Sequence, residues 1–201
     1  MNDNKRGYSR EDWQEHYDAD DLRWDLGEVS PPLKQLWTEQ KIIPCPVMIP
    51  GCGQGHEAVY LADHGFDVTA VDYAEGAIQR LNRLLDERGL HGRVLQEDFF
   101  ELGSEHDRAY GLLVEQAFFC AIHPTDRVHY VQTAARILKP GGWITGLFYQ
   151  TEEEGGPPYN TTEKDIVDHF SQDFSIEYLG KTAHSVESRR DKEWLGLLRK
   201  K

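Results

Sequence analysis

The sequence predicts an α/β fold, with a seven-stranded, mostly parallel sheet, helices on both faces and an antiparallel last strand. Three observations predict it. Strand-like apolar runs alternate with helical periodicity along the chain from residue 46 onward. A glycine cluster follows the first of these strands directly. The last two strand-like segments follow one another with no helix between them, and an antiparallel final strand accommodates that.

In order, 46–49 is a short apolar strand running into glycines, and 56–64 is helical. Residues 67–71 form a second strand closed by Asp72. Residues 75–88 form a helix that gathers Ile78, Leu81, Leu84 and Leu85 on one face. A third strand at 93–96 runs into Glu97-Asp98-Phe99-Phe100, and a fourth covers 110–114. The helix at 127–138 is stopped by Lys139-Pro140-Gly141-Gly142, through proline and glycine chemistry. A fifth strand covers 143–149. A loop at 151–160 and a short helix at 162–169 lead to strands near 176–179 and 194–198. Residues 1–30 stand outside this alternation yet carry Trp13, Tyr17 and Trp24. Chain ends without a role are usually polar and loose, so this segment is expected to cap a ligand site. The expectation is one domain over 1–201.

The chain has 201 residues, 39% hydrophobic and 28% charged, which is globular composition. A net charge of −13 argues against a nucleic-acid partner, which needs clustered Lys and Arg. No apolar run reaches the length of about 20 residues that spans a bilayer. Residues 1–10 lack the apolar core of a secretory signal, so a cytoplasmic location is expected, without a membrane partner and as a monomer. Cys45, Cys52 and Cys120 form neither a disulfide framework nor a metal-like pair. The histidines have no ligand spacing of the HExxH kind, so no metal is expected.

The chemistry-bearing motif is Ile49-Pro50-Gly51-Cys52-Gly53-Gln54-Gly55. Glycines let a backbone turn sharply and approach a ligand closely, and the helix that follows aims its N-terminus there. A dinucleotide fingerprint would place its third glycine where His56 stands. The observed G-x-G-x-G spacing of Gly51, Gly53 and Gly55 is the form usual for S-adenosylmethionine (SAM), which carries no pyrophosphate. Asp72, at the end of the second strand, is placed for ribose hydroxyls. Asp98, at the end of the third, is placed for the adenine amino group, and Phe99 for the adenine face.

These residues, with Trp24-Asp25-Leu26-Gly27, Phe118-Phe119-Cys120-Ala121-Ile122, Leu138-Lys139-Pro140-Gly141-Gly142 and Gly155-Gly156-Pro157-Pro158-Tyr159, give a pattern that resembles the thiopurine S-methyltransferase-like family. Within it the chain resembles the halide and thiol methyltransferases, from Trp13 to the C-terminus. The resemblance implies a class I SAM-dependent methyltransferase with a Rossmann-like fold and S-adenosylhomocysteine (SAH) as product. It implies that Trp13, Tyr17 and Trp24 line the cofactor, where aromatic rings favour a sulfonium cation. It also implies that Gly51 meets the methionine part, Asp72 with Tyr73 the ribose side, and Asp98 with Phe99 the adenine. Glu115, ending the fourth strand, would lie where donor meets acceptor. Tyr149, ending the fifth, resembles the substrate-side tyrosine of the halide and thiol branch and is the catalytic candidate. Arg189 and Arg190 match a family segment with a basic residue near the acceptor.

The thiopurine branch has an arginine where this chain has Gln116, and the halide and thiol branch often has Asp-Tyr where this chain has Glu115-Gln116. Phe118, Phe119, Cys120 and Ile122 read as an apolar wall on the acceptor side. The expected acceptor is therefore a small soft nucleophile: a thiol, hydrosulfide, thiocyanate or halide. A thiopurine, a metalloid or selenium compound, a natural-product thiol, an NAD-dependent oxidoreductase and a non-catalytic SAM-binding protein stay open as alternatives.

Overall fold

A computed structural model describes residues 7–40 and 42–201. The first six residues of the expected N-terminal cap lie outside the described residues. Among the described residues, seven strands form one sheet in the order β3-β2-β1-β4-β5-β7-β6. The strands are β1 (Pro46–Pro50), β2 (Asp67–Asp72), β3 (Arg93–Gln96), β4 (Tyr110–Gln116), β5 (Leu138–Tyr149), β6 (Phe174–Lys181) and β7 (Glu193–Lys200). The pairs β1–β2, β2–β3, β1–β4 and β4–β5 are parallel, and β7 runs antiparallel to both β5 and β6. The chain order reverses between β1 and β4, and in open α/β sheets such a reversal leaves a crevice at the C-terminal strand ends.

The helices are α1 (Arg10–Asp18), α2 (Pro31–Gln40), α3 (His56–Asp63), α4 (Glu75–Arg88), α5 (Arg127–Ile137) and α6 (Glu163–Phe170). Alternation along the strands divides the core between the two faces. Val47 and Ile49 of β1 and Leu112 and Val114 of β4 pack with α2, α3 and α4 through Leu33, Trp37, Leu61, Leu81 and Leu85. Met48 and Leu113 pack on the other side with α5 and α6 through Tyr130, Ile137, Ile166 and Phe170. Leu138, read as the last residue of a helix, instead opens β5 opposite Tyr110, so the strand includes the Lys-Pro-Gly-Gly turn. β6 and β7 are longer than their apolar stretches because they pair along their whole length.

α1 and α2 lie outside the segments where the sequence pattern predicts elements. α1 is held by local chemistry: Ser9 and Asp12 form a reciprocal capping box, and the helix contains no fully buried residue. α2 begins on two prolines, which suit a first helical turn, and buries Leu33, Leu36 and Trp37.

Phe119, expected on the acceptor wall, lies in the core instead, with no exposed surface. Its ring meets Tyr130, Phe148, His169 and Phe170 at centroid distances of 5.4–5.7 Å, and the Arg127 guanidinium sits 4.7 Å over it. Ala117, with φ of +59°, turns the backbone after β4 so that Phe118 faces the crevice and Phe119 faces inward. Phe119→Ala is therefore expected to lower unfolding free energy by about 3–5 kcal/mol, as a large core truncation does. A urea titration showing less than about 1 kcal/mol would return Phe119 to a wall of the crevice.

Candidate functional site

A cavity of about 940 Å³ opens at the C-terminal ends of β1, β2 and β4, at the upper end of the range for small-molecule sites. Its floor is the turn between β1 and α3. Gly51, Gly53 and Gly55 all have positive φ, from +53° to +81°. At two of them the space is also taken: a Cβ on Gly51 would lie 2.3 Å from the Phe118 ring, and one on Gly55 2.6 Å from Leu81. At Gly53 the nearest such atoms are the Trp24 indole nitrogen and the Tyr17 hydroxyl, both at 3.7 Å, so this backbone faces the underside of the N-terminal segment. Gly55 offers no side-chain cap to α3, leaving first-turn amides directed at the cavity.

Asp72 accepts hydrogen bonds from the Gly53 amide at 3.1 Å and the Ala74 amide at 2.9 Å. Burial raises its pKa, and those amides oppose the rise. Tyr73 lines the cavity beside it, and its hydroxyl too is shifted up, chiefly by burial and then by the Asp98 and Asp72 charges. Asp98 caps a short 3₁₀ turn by accepting the Phe100 amide at 2.9 Å, and both it and Phe99 line the cavity. The Phe99 ring meets Phe118 edge-on at 5.9 Å.

The N-terminal segment roofs this end. Trp13 and Tyr17 meet Trp24 edge-on at 5.3 and 5.9 Å, and all three line the cavity. α1 is seated on α4: the Gln14 side chain accepts the Gly76 amide at 3.1 Å, and a Cβ on Gly76 would lie 2.5 Å from Tyr17. Burial and then the Asp72 charge push the Tyr17 hydroxyl far above its ordinary pKa. Asp25 bonds His56 at 2.8 Å, and Glu57 accepts the Ser30 amide at 2.9 Å, tying the segment to the first turn of α3. Histidine at position 56 carried no signal on its own, since its partner lies 31 residues earlier.

The far end of the cavity is formed after β4 and β5. Phe118, Cys120 and Ile122 line it from one side and Tyr149, Pro157 and Pro158 from the other. The 151–160 loop is bound back onto the β4 turn. The Tyr159 amide donates to Cys120 O at 2.7 Å, and Arg127 donates to Tyr159 O, Asn160 O and the Thr161 hydroxyl. Cys120 is buried, and desolvation followed by the Glu115 charge lifts its thiol to about 12, so it stays protonated.

Besides Phe119, two expected positions fall elsewhere. Glu115 does not line the cavity; it lies wholly buried beneath it, accepting the Phe119 amide at 2.8 Å. Arg190 points to solvent and pairs with Glu187. Arg189 does line the cavity, with one N–H held by Trp24 O at 2.6 Å and one by Glu193 at 3.2 Å. Adjacent arginines in a turn look alike in a sequence, and only the fold separates the buried one from the exposed one.

Burial pushes the Glu115 carboxyl from an ordinary 4.5 to about 7, against the opposing bond from the Phe119 amide. The folded chain thus keeps a proton that the unfolded chain has released between those values. Stability falls as pH rises through that interval and stays lower above it. Glu115→Gln keeps an acceptor for the Phe119 amide and removes the charge. It is expected to raise Tm at pH 8 by about 5 °C, corresponding to roughly 2 kcal/mol. The gain should shrink toward zero near pH 5, and scanning calorimetry at both pH values decides, since an equal gain at both would contradict it.

The model of the thiopurine S-methyltransferase family matches residues 8–199 of this chain. A probable thiol methyltransferase 2 of Arabidopsis thaliana is 31% identical over 153 residues, covering 75% of this chain and 67% of that one. Thiocyanate methyltransferase 1 of the same plant is 28% identical over 199 residues, covering 94% and 84%. A thiopurine S-methyltransferase of Pseudomonas fluorescens is 28% identical over 183 residues, covering 83% and 84%. In fold the chain is similar to a Burkholderia thailandensis 1,6-didemethyltoxoflavin-N1-methyltransferase solved with S-adenosylhomocysteine, with a TM-score of 0.79 at 18% identity over 95% of this chain and 86% of that one. Together with the sheet order and the glycine turn, the match over nearly the whole length means that this chain belongs to the thiopurine S-methyltransferase family of SAM-dependent methyltransferases.

Proposed function

We propose that this protein transfers the methyl group of SAM to a small soft nucleophile, namely a thiol, hydrosulfide, thiocyanate or halide. The observation that carries the reading is the apolar part of the far cavity wall, Phe118, Ile122, Pro157 and Pro158, beside the phenol of Tyr149, in a lining that also carries Gln116, His123, Thr151 and Glu153. A weakly hydrated, polarisable acceptor loses little on entering such a wall. Gln116 stands where a thiopurine-type site has a guanidinium.

The residues fit the cofactor. The glycine turn admits a ligand's backbone-close approach at Gly53, Asp72 offers a carboxylate to ribose hydroxyls, and Asp98 offers an acceptor to adenine, with Phe99 largely buried beside it. Trp13, Tyr17 and Trp24 face the same space with aromatic surfaces suited to a sulfonium. Bound SAM supplies an activated methyl group and departs as a neutral thioether.

What remains for the protein is alignment and exclusion of water. Holding two reactants in line is worth effective molarities of about 10⁵–10⁸ M. The aromatic roof and the Pro157-Pro158 loop close the cavity from two sides. Tyr149 orients the acceptor through its hydroxyl. No general base is needed, because halides and thiocyanate carry no proton to lose and free thiols ionise near pH 8.5.

Asp72→Ala is expected to weaken SAH binding by about 1.5–3 kcal/mol, the worth of hydrogen bonds to a charged acceptor. Unchanged heat in a calorimetric titration would mean that Asp72 does not hold the ribose. The acceptor class is tested by SAH release over a panel of iodide, thiocyanate, hydrosulfide, 2-mercaptoethanol and 6-mercaptopurine. A small nucleophile should lead the panel, and Tyr149→Phe should lower its kcat/KM by about one to two orders of magnitude with SAH affinity unchanged. A lead by 6-mercaptopurine would replace this acceptor class with a thiopurine.

A further inference from the structure

We propose that Arg189 is a positioning residue that couples closure of the N-terminal segment over the cofactor to the placement of Tyr149 at the acceptor end. The inference rests on the reading that the two ends of the cavity take cofactor and acceptor. It concerns how the chain joins those ends, and it holds for any acceptor chemistry.

Arg189 ends a short 3₁₀ turn (Glu187–Arg189) just before β7, and its side chain is only about one-tenth exposed. One terminal nitrogen donates to the Trp24 carbonyl, 165 residues away in sequence, and the other donates to Glu193. The guanidinium lies 5.7 Å over the Tyr149 ring. Glu193 is almost wholly buried, also accepts the Ser185 hydroxyl at 2.6 Å, and sits directly opposite Tyr149 in the β5–β7 ladder. One planar cation therefore spans the roof of the cofactor end, the ladder position opposite Tyr149, and the ring of Tyr149 itself.

The contact at Trp24 is well placed to transmit. Its indole is the hub of the roof, meeting Trp13, His16 and Tyr17. Neighbouring ties of the same segment, Asp25 to His56 and Ser30 to Glu57, run to α3 on the cofactor side. Among the described residues, the Arg189 bond is the side-chain hydrogen bond that joins residues 24–30 to the strands carrying the acceptor end. A lysine would not replace it, because a point charge on a flexible stem cannot serve two acceptors in a fixed plane. With one N–H of each terminal nitrogen held by Trp24 O and Glu193, the guanidinium plane is fixed beside the Tyr149 ring.

The test needs no acceptor. Arg23 is an exposed trypsin site within the roof segment, with 86% of its side chain exposed. A 3-fluorotyrosine at position 149 reports the environment of that ring by fluorine NMR. In the otherwise wild-type chain, saturating SAH should slow cleavage after Arg23 and move the fluorine resonance. In Arg189→Lys, at SAH concentrations raised to equal occupancy, cleavage should be faster by about tenfold, the worth of one hydrogen bond from a charged donor, and the resonance should no longer respond. Glu193→Gln keeps an acceptor for Ser185 and removes the anchor of the guanidinium, so it should reproduce both effects if Arg189→Lys folds poorly. The proposal is overturned if SAH leaves the resonance unmoved in the wild-type background. It is equally overturned if protection and the fluorine response both survive in the variants. Failure of the acceptor panel would leave these readouts intact, so the two readings fall separately.

Discussion

Position 51 has no room for a side chain, and the reason is Phe118, whose ring lies 2.3 Å from where a Cβ would be. Two turns thus meet at the ends of the adjacent strands β1 and β4, at the point where the sheet's strand order reverses. Neither turn is relaxed on its own. The first needs positive φ at Gly51, Gly53 and Gly55, and the second holds Ala117 at φ +59°, which costs a non-glycine residue about 1–2 kcal/mol. The second turn is secured by the Ala117 amide on Leu147 O, the Cys120 thiol on Ala117 O and the Phe119 amide on Glu115. Because Phe118 then reaches both Gly51 and Phe99, the glycine turn and the wall after β4 share one side chain.

The arrangement also explains which features were legible in the sequence. Strands β1 to β5 and helices α3 to α5 follow from apolar periodicity, because each buries a face against the sheet. That Asp72 and Asp98 reach the cavity follows from their place at strand ends near a glycine turn, which leaves few places for a carboxylate to point. α1 was not legible, since it buries no residue completely and depends on a capping box and on Gly76, 59 positions after Tyr17. The choice between Phe118 and Phe119 hung on one backbone dihedral at Ala117, for which alanine gives no signal. Glu115 was read as facing the ligand because it ends a strand at the right edge. Strand alternation and the turn above it send the carboxyl under the wall instead.

The two guanidiniums buried near the cavity, Arg127 and Arg189, share one use. Each donates to main-chain carbonyls of a roofing segment, Arg127 to residues 159 and 160 and Arg189 to Trp24, and Arg189 also to the Glu193 carboxylate. A buried cation is costly unless its hydrogen bonds are satisfied, and carbonyls from an otherwise irregular loop satisfy it while gaining partners themselves. Loops 24–30 and 151–160 would otherwise have few reasons to lie over a cavity, since neither has a regular ladder to join. Arginine's fixed fork supplies direction as well as attraction, which fits the task of holding a loop in one orientation.

This division of labour suits a reaction in which the protein has little bond chemistry to perform. Where no proton must be moved in the rate-determining step, a catalytic site gains most from the angle between reactants and from dryness. Both depend on the roof. A wall of Phe118, Ile122 and two prolines sets the approach but cannot keep water out alone, and aromatic rings over the glycine turn favour a sulfonium only while they stay in place. On the proposed function, contacts that hold two loops over the cavity, such as the bonds of Arg127 and Arg189, matter alongside any group that touches the reacting atoms. On the same proposed function, acceptor choice is assigned to the small region between Phe118 and Tyr149. That region is not independent of the glycine turn, because Phe118 packs against Gly51 and Phe99 and Arg189 lies between Trp24 and the Tyr149 ring.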